Sequence, residues 1–326
     1  MNRRAFTIIE MLVVITIIVT LTGMGLYVIG PISARRVREA ARLVSGYFNV
    51  ARSQAMETGK PCGVVFTTPM NATYAMVLDQ CSVPATYSGD AVESSARITW
   101  SDNQGTPTGT GAVAFYSDAS GTVAESMPTS NVGANDRIQF NYQGPMYTVF
   151  SVAGTSGVVE FDAGERHKIQ AVPWTTATSR PLPYKVFRSP TNSTVRSVVA
   201  PLQMPTSSVV DLQFSGIEDS SGTLQPLSAT TMVLFSPTGA VDSVYVNGVK
   251  STPSSPLFFL VGKRERSPFV AANYNASDKA TWSNEQDMEN FYVVVNWSDG
   301  MVSVSEVGTA SDPRWFARQQ SSVGGH

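Results

Sequence analysis

The sequence is poor in the residues that do chemistry. Among its 326 residues are two cysteines, Cys62 and Cys81, and two histidines, His167 and His326. Two thiols with no histidine nearby exclude the usual zinc sites. G-x-S-x-G, H-E-x-x-H, C-x-x-C and the Gly-rich phosphate loop are all missing. His167, in GERHKIQ, has no Cys or second His beside it and reads as a surface residue. Catalysis is not indicated, no catalytic or metal-binding residue is assigned, and no cofactor is expected. Charge is scarce as well: 15% of residues are charged and the net charge is −2, against a usual charged share of about a quarter. A polyanion-binding surface is not encoded, so no nucleic acid partner is expected.

The acids that do occur are clustered. Asp278, Glu285, Asp287 and Glu289 precede the last apolar runs, and Glu218-Asp219 sit in a turn-rich stretch. Calcium takes such oxygens, but the spacing fits no calcium loop, and these residues read as solvated turn acids. TWSNEQDMENF also reads as a short helix, with Ser283 as cap and Gln286 three residues on.

What the chain does have is one long apolar run, RRAFTIIEMLVVITIIVTLTGMGLYVIG, Arg3 to Gly30. Phe6 to Ile29 is long enough for a bilayer-spanning helix, which needs roughly 20 apolar residues. It is too long for a cleaved secretory signal, and ISARR after it is a poor cleavage site. Arginines flank both ends, so the positive-inside rule gives no orientation. The anomaly is Glu10, because a carboxylate at membrane depth costs on the order of 2.5–3.5 kcal/mol and is usually functional.

A short basic leader (MNRRA), then Phe6-Thr7-Ile8-Ile9-Glu10, then the apolar run, resembles the prepilin-type signal of type IV pilins and type II secretion pseudopilins. The resemblance implies cleavage between Ala5 and Phe6 by prepilin peptidase and N-methylation of Phe6. The family most often has Gly where this chain has Ala5. Glu10 falls at the fifth position of the processed chain, where it would pair with the Phe6 amine of a neighbouring subunit and set register in a filament. ARSQAMETGKPCGVVF (51–66), LFSPTGAV (234–241) and NFYVVVNWSDGMVSVSEV (290–307) resemble segments of H-type minor pseudopilins. The matching stretches cover about the first 70 and last 80 residues.

Beyond Pro31 the pattern becomes amphipathic. Val37, Ala40, Ala41, Val44, Tyr47, Phe48, Ala51 and Ala55 recur at helical spacing, and Gly59 and Pro61 end the helix. A bend is expected at Pro31. After Pro61, short β-branched and aromatic runs alternate with turn clusters, as in antiparallel β structure. Asn247-Gly248 and Asp299-Gly300 mark two hairpin turns. With Gly63–Thr67 and Thr73–Leu78 as a hairpin around TPMNA, residues whose numbers sum to 143 face each other. Cys62 and Cys81 satisfy that sum, which predicts a disulfide and an oxidising compartment.

The expected fold class is therefore α+β: a long N-terminal transmembrane and amphipathic helix packed on an antiparallel β-rich, pilin-like domain with a large β insertion. The expected division is leader 1–5, transmembrane helix 6–30, amphipathic helix 31–58, exported domain 59–312 with an insertion at 86–229, and tail 313–326. The expected location is the bacterial inner membrane, single-pass, with the C-terminal domain in the periplasm. The resemblance implies a minor pseudopilin of a type II secretion pseudopilus. Its partners would be prepilin peptidase, other pseudopilins or pilins, an inner-membrane assembly platform and the membrane itself. The alternatives are a minor type IV pilin for adhesion or DNA uptake, and an uncleaved membrane-anchored periplasmic binding module.

Overall fold

A computed structural model describes residues 8–28, 32–70, 72–101, 110–129, 132–144, 146–160, 178–190, 195–196, 199–219, 221–227, 231–267, 275, 277–309 and 311–323. Two helices lead, α1 (Ile8–Val28) and α2 (Ile32–Thr58). Then come β1 (Cys62–Thr67), β2 (Tyr74–Ala75), β3 (Val77–Ser82), β4 (Ser95–Ser101), β5 (Thr110–Tyr116), β6 (Arg137–Phe140), β7 (Met146–Ala153), β8 (Ser156–Glu160) and β9 (Tyr184–Phe187). The chain continues through β10 (Val195–Arg196), β11 (Leu202–Gln203), β12 (Ser208–Glu218), β13 (Leu224–Pro226), β14 (Thr231–Phe235), β15 (Val241–Val246) and β16 (Val249–Ser251). It ends with β17 (Leu257–Lys263), β18 (Phe291–Val295), β19 (Val302–Glu306) and α3 (Trp315–Val323).

The strands form three antiparallel sheets. The first runs β10-β3-β1-β14-β15-β16, the second β13-β12-β17-β18-β19 and the third β4-β5-β8-β7-β6-β9. Side-chain alternation explains how the first two share a core. Val64, Phe66, Val233 and Phe235 of the first sheet join Leu257, Phe259, Val261, Val293 and Val295 of the second, all against α2. The intervening residues point the other way: Phe258, Leu260, Tyr292 and Val294 toward Ala317 of α3, and Met232, Leu234 and Tyr245 toward the far side of the first sheet. Strands buried on both faces read as continuous apolar runs, such as FYVVV in β18. The third sheet has its own core, centred on Ile98, Phe115, Ile138, Tyr147 and Tyr184.

The expected fold class needs correction. The architecture is mostly β, and α1 and α2 are separate segments of 21 and 27 residues rather than one long helix laid on a β domain. The bend expected at Pro31 lies outside the described residues. Among the described residues no helix is long and apolar enough to cross a membrane. The single-pass inner-membrane placement is accordingly not supported.

A second correction concerns the β1–β3 register. Partners are Cys62↔Ser82, Gly63↔Cys81 and Thr67↔Val77, one residue out from the expected pairing. The cause is a split in the second arm. Tyr74-Ala75 leaves to pair with β12 in the second sheet, and the strand resumes only at Val77. A one-residue slip turns every side chain to the other face. Cys62 therefore enters the α2 core while Cys81 lies with Met232, Leu234 and Tyr245 on the opposite side. Both thiols are free and buried. The predicted disulfide is absent, and the argument for an oxidising compartment lapses with it.

The hairpin at Asn247-Gly248 has the expected tight form. Val246 pairs with Val249, and both turn residues have positive φ, 50° and 81°. Ser283 and Gln286 form the expected cap over the short turn Asn284–Gln286, with the Ser283 amide donating to Gln286 Oε1 at 3.0 Å.

Candidate assembly site

α1 exposes a continuous apolar surface. Every large apolar side chain from Ile8 to Val19 is between 47% and 86% exposed. Thr16 and Thr20 of α1 add little polarity. Thr16 Oγ1 donates to the Leu12 carbonyl at 2.8 Å and Thr20 Oγ1 to the Thr16 carbonyl at 2.9 Å. Each hydroxyl is satisfied inside the helix and leaves its methyl outward. Glu10 stands in the first turn of α1. Ala5 and Phe6, the expected processing site, lie outside the described residues, as does His167.

α2 is the opposite case. All eight stripe residues, Val37, Ala40, Ala41, Val44, Tyr47, Phe48, Ala51 and Ala55, are buried. Phe48 is the centre, with its ring 6.0 Å from Phe66, 6.3 Å from Phe235 and 5.0 Å from Phe259. One side chain thus ties α2 to both sheets. At the other end, Arg38 lies over Phe291 at 5.4 Å and 3.8 Å from Glu306. That pair is exposed and contributes little.

Near the C-terminal end of α2, three stretches quoted above from distant parts of the sequence meet. Arg52 Nε donates to the Gly239 carbonyl at 3.3 Å and to the Asp299 carbonyl at 3.1 Å. Gly239 closes the turn after β14 and Gly300 the turn after β18, with φ of 89° and 68°. A Cβ at Gly300 would sit 1.9 Å from the Gly239 oxygen. The two turns can touch because residue 300 is glycine, while a Cβ at Gly239 would press instead on Met56 and Arg52. The Val241 amide then donates to the Trp297 carbonyl at 3.0 Å and joins the hairpins directly. Arg52 was legible as a polar residue beside the stripe, but its role as a clasp on two turns was not.

Of the six acids expected to be solvated, Asp219 and Asp278 are exposed turn acids that accept backbone amides of their own turns, whereas the other four are paired. Asp287 is buried and meets Lys263 at 2.9 Å and Arg266 at 2.7 Å, while Glu289 meets Lys263 at 2.7 Å. Glu218 receives Arg314 at 2.6 Å and Arg318 at 2.8 Å, and Glu285 receives Arg314 at 3.0 Å. The two arginines hold Glu218 below the usual carboxylate range despite burial pushing the other way. They also clamp the tail onto the second sheet, where Ala317 is buried and Trp315 and Phe316 stay exposed. Among the described residues no group of His, Cys, Asp and Glu could hold a metal ion.

One further polar site is deep in the second sheet. Asp211, at the bulge of β12, accepts Asn284 Nδ2 at 2.8 Å, and Ser215 Oγ donates to its backbone carbonyl. Burial raises the Asp211 carboxyl to about 6, against the lowering effect of its Asn284 and backbone hydrogen bonds. Burial, followed by the nearby Cys62, raises the Cys81 thiol to about 12. At that value Cys81 is unreactive at neutral pH. No family model matches this chain, and no curated protein or solved structure does either.

Proposed function

We propose that this protein is a prepilin-like structural subunit, processed by prepilin peptidase and assembled into a type II secretion pseudopilus as a minor pseudopilin. The observation that carries the reading is the contrast along the N-terminal 58 residues. α2 buries its apolar stripe in the fold, while α1, which bears Glu10, offers from Ile8 to Val19 an apolar surface that the other described residues leave exposed. Such a surface is stabilised by apolar surface on other molecules. Neighbouring helices of the same kind supply it in a filament. Glu10 would pair with the freed Phe6 amine of the next subunit, so that two charges set the stagger between helices. Arg52 holds two hairpins of the β body against the end of α2.

The test is mass spectrometry of the N-terminal peptide together with cross-linking in secreting cells. A chain beginning at methylated Phe6, with Glu10→Ala processed but missing from cross-linked assemblies, is the expected result. A chain beginning at Met1 in cells with active prepilin peptidase, or normal assembly of Glu10→Ala, rejects the reading.

A further inference from the structure

Between the far side of the first sheet and the edge of the third lies a cleft of about 490 Å³. That volume falls in the range of small-ligand sites, ~300–1,000 Å³, which concentrate at boundaries between packed units. Its walls are partly apolar, with Leu234 and the buried Tyr245 from the first sheet and Phe187 from the end of β9. Its charges are mostly of one sign. Arg137 comes from β6, Arg188 follows β9, and Lys250 lies on β16. The lining carboxylate is Asp242, 3.8 Å from Lys250.

The cationic side is held in place from below. Asp136 is buried, and its carboxylate accepts the Ser189 amide at 2.6 Å and the Gly133 amide at 2.9 Å. This fixes the segment that carries Arg188 against the strand that carries Arg137. Across the cleft, the Tyr245 hydroxyl is raised by burial and by the Asp242 charge, while Ser243, Ser189 and the charge of Arg137 act to lower it. Groups from the first and third sheets therefore converge on one volume. Guanidinium forks match the planar oxygens of carboxylate and phosphoryl groups.

We propose that this cleft binds a small organic anion, an oxyanion group carried on an aromatic or apolar body. Arg137 and Arg188 hold the oxyanion, Lys250 adds long-range attraction, and Tyr245, Phe187 and Leu234 receive the body. The site is independent of α1 and of filament assembly.

The experiment is isothermal titration of the full chain with phenyl phosphate, benzoate and inorganic phosphate at fixed ionic strength. One of the two ring-bearing anions should saturate at a single site and bind about tenfold or more tighter than inorganic phosphate, and the tighter of the two assigns the oxyanion. Arg137→Gln should weaken that binding about tenfold or more, as expected for loss of a charged hydrogen-bond donor. Lys250→Gln should weaken it less. Both residues are exposed, so both variants keep the fold. Arg36→Gln, on the exposed side of α2 and away from the cleft, should change nothing. Absence of saturable binding by either ring anion overturns the proposal, and so does equal weakening by Arg36→Gln.

Discussion

α1 and α2 stand side by side in sequence and are both regular helices, yet they stand in opposite relation to the fold. From Ile8 to Val19 the large apolar side chains of α1 are all exposed, with no described residue covering them. α2 is apolar on one stripe, and that stripe is wholly covered. The number of apolar residues does not predict burial here; their arrangement does. A stripe specifies one partner surface within the same chain, whereas a helix apolar all round specifies no single direction and can be served from several sides by several molecules.

The sharpest way to break this comparison is to truncate one large side chain in each helix. Phe48→Ala should lower the free energy of unfolding by about 3–5 kcal/mol, because it empties the contact between α2 and both sheets. Chemical denaturation reads that loss directly. An intact midpoint would mean that α2 does not organise the core.

Next in size is a pH effect confined to the body. The Asp211 carboxyl is raised to about 6 in the folded protein, above its unfolded value near 3.8. Its contribution to stability is fully present below the unfolded value and is lost as pH rises through about 6. The loss amounts to up to about 3 kcal/mol. Denaturation at several pH values between about 3 and 7.5 should show the decline. Asp211→Asn should flatten it, whereas a change in α1 should leave it in place. Gly300→Ala should cost about 1–3 kcal/mol, since its φ of 68° and the Gly239 oxygen both disfavour a side chain. The cost should fall on the clasp, seen as faster amide exchange at Gly239 and Val241.

The smallest effect sharpens the comparison from the other side. Leu12→Ala on α1 should change stability by less than about 0.5 kcal/mol, as for exposed positions in general. A loss as large as that of Phe48→Ala would mean that α1 is packed by its own chain.

Much of the body was legible because burial follows periodicity. The eight-residue stripe of α2 and the apolar runs of β14, β17 and β18 are patterns that few other structures could satisfy. Some short strands were not legible, although the four-residue β6 was. β9, the sequence YKVF just after Pro181 and Pro183, is four residues long and carries a lysine. The β1–β3 register failed for a different reason: one residue, Met76, separates two strands that belong to different sheets, and no local signal marks the change of partner. The pairing of acids was also hidden. Glu218 finds Arg314 at a separation of 96 residues, and nothing near either residue announces the other. In the candidate site, Glu10 and the apolar run stand out in the sequence, while the convergence of Arg52, Gly239 and Gly300 depends on tertiary contact alone.

The placement of the two thiols has a consequence for how the protein matures. Cys62 and Cys81 face opposite sides of one sheet, and joining them would require the strands to slide past each other. The native state therefore has no Cys62–Cys81 bond to complete. Its folding needs no thiol oxidase or isomerase, and reductant should leave its stability unchanged. The chain can reach the same structure on either side of a redox boundary.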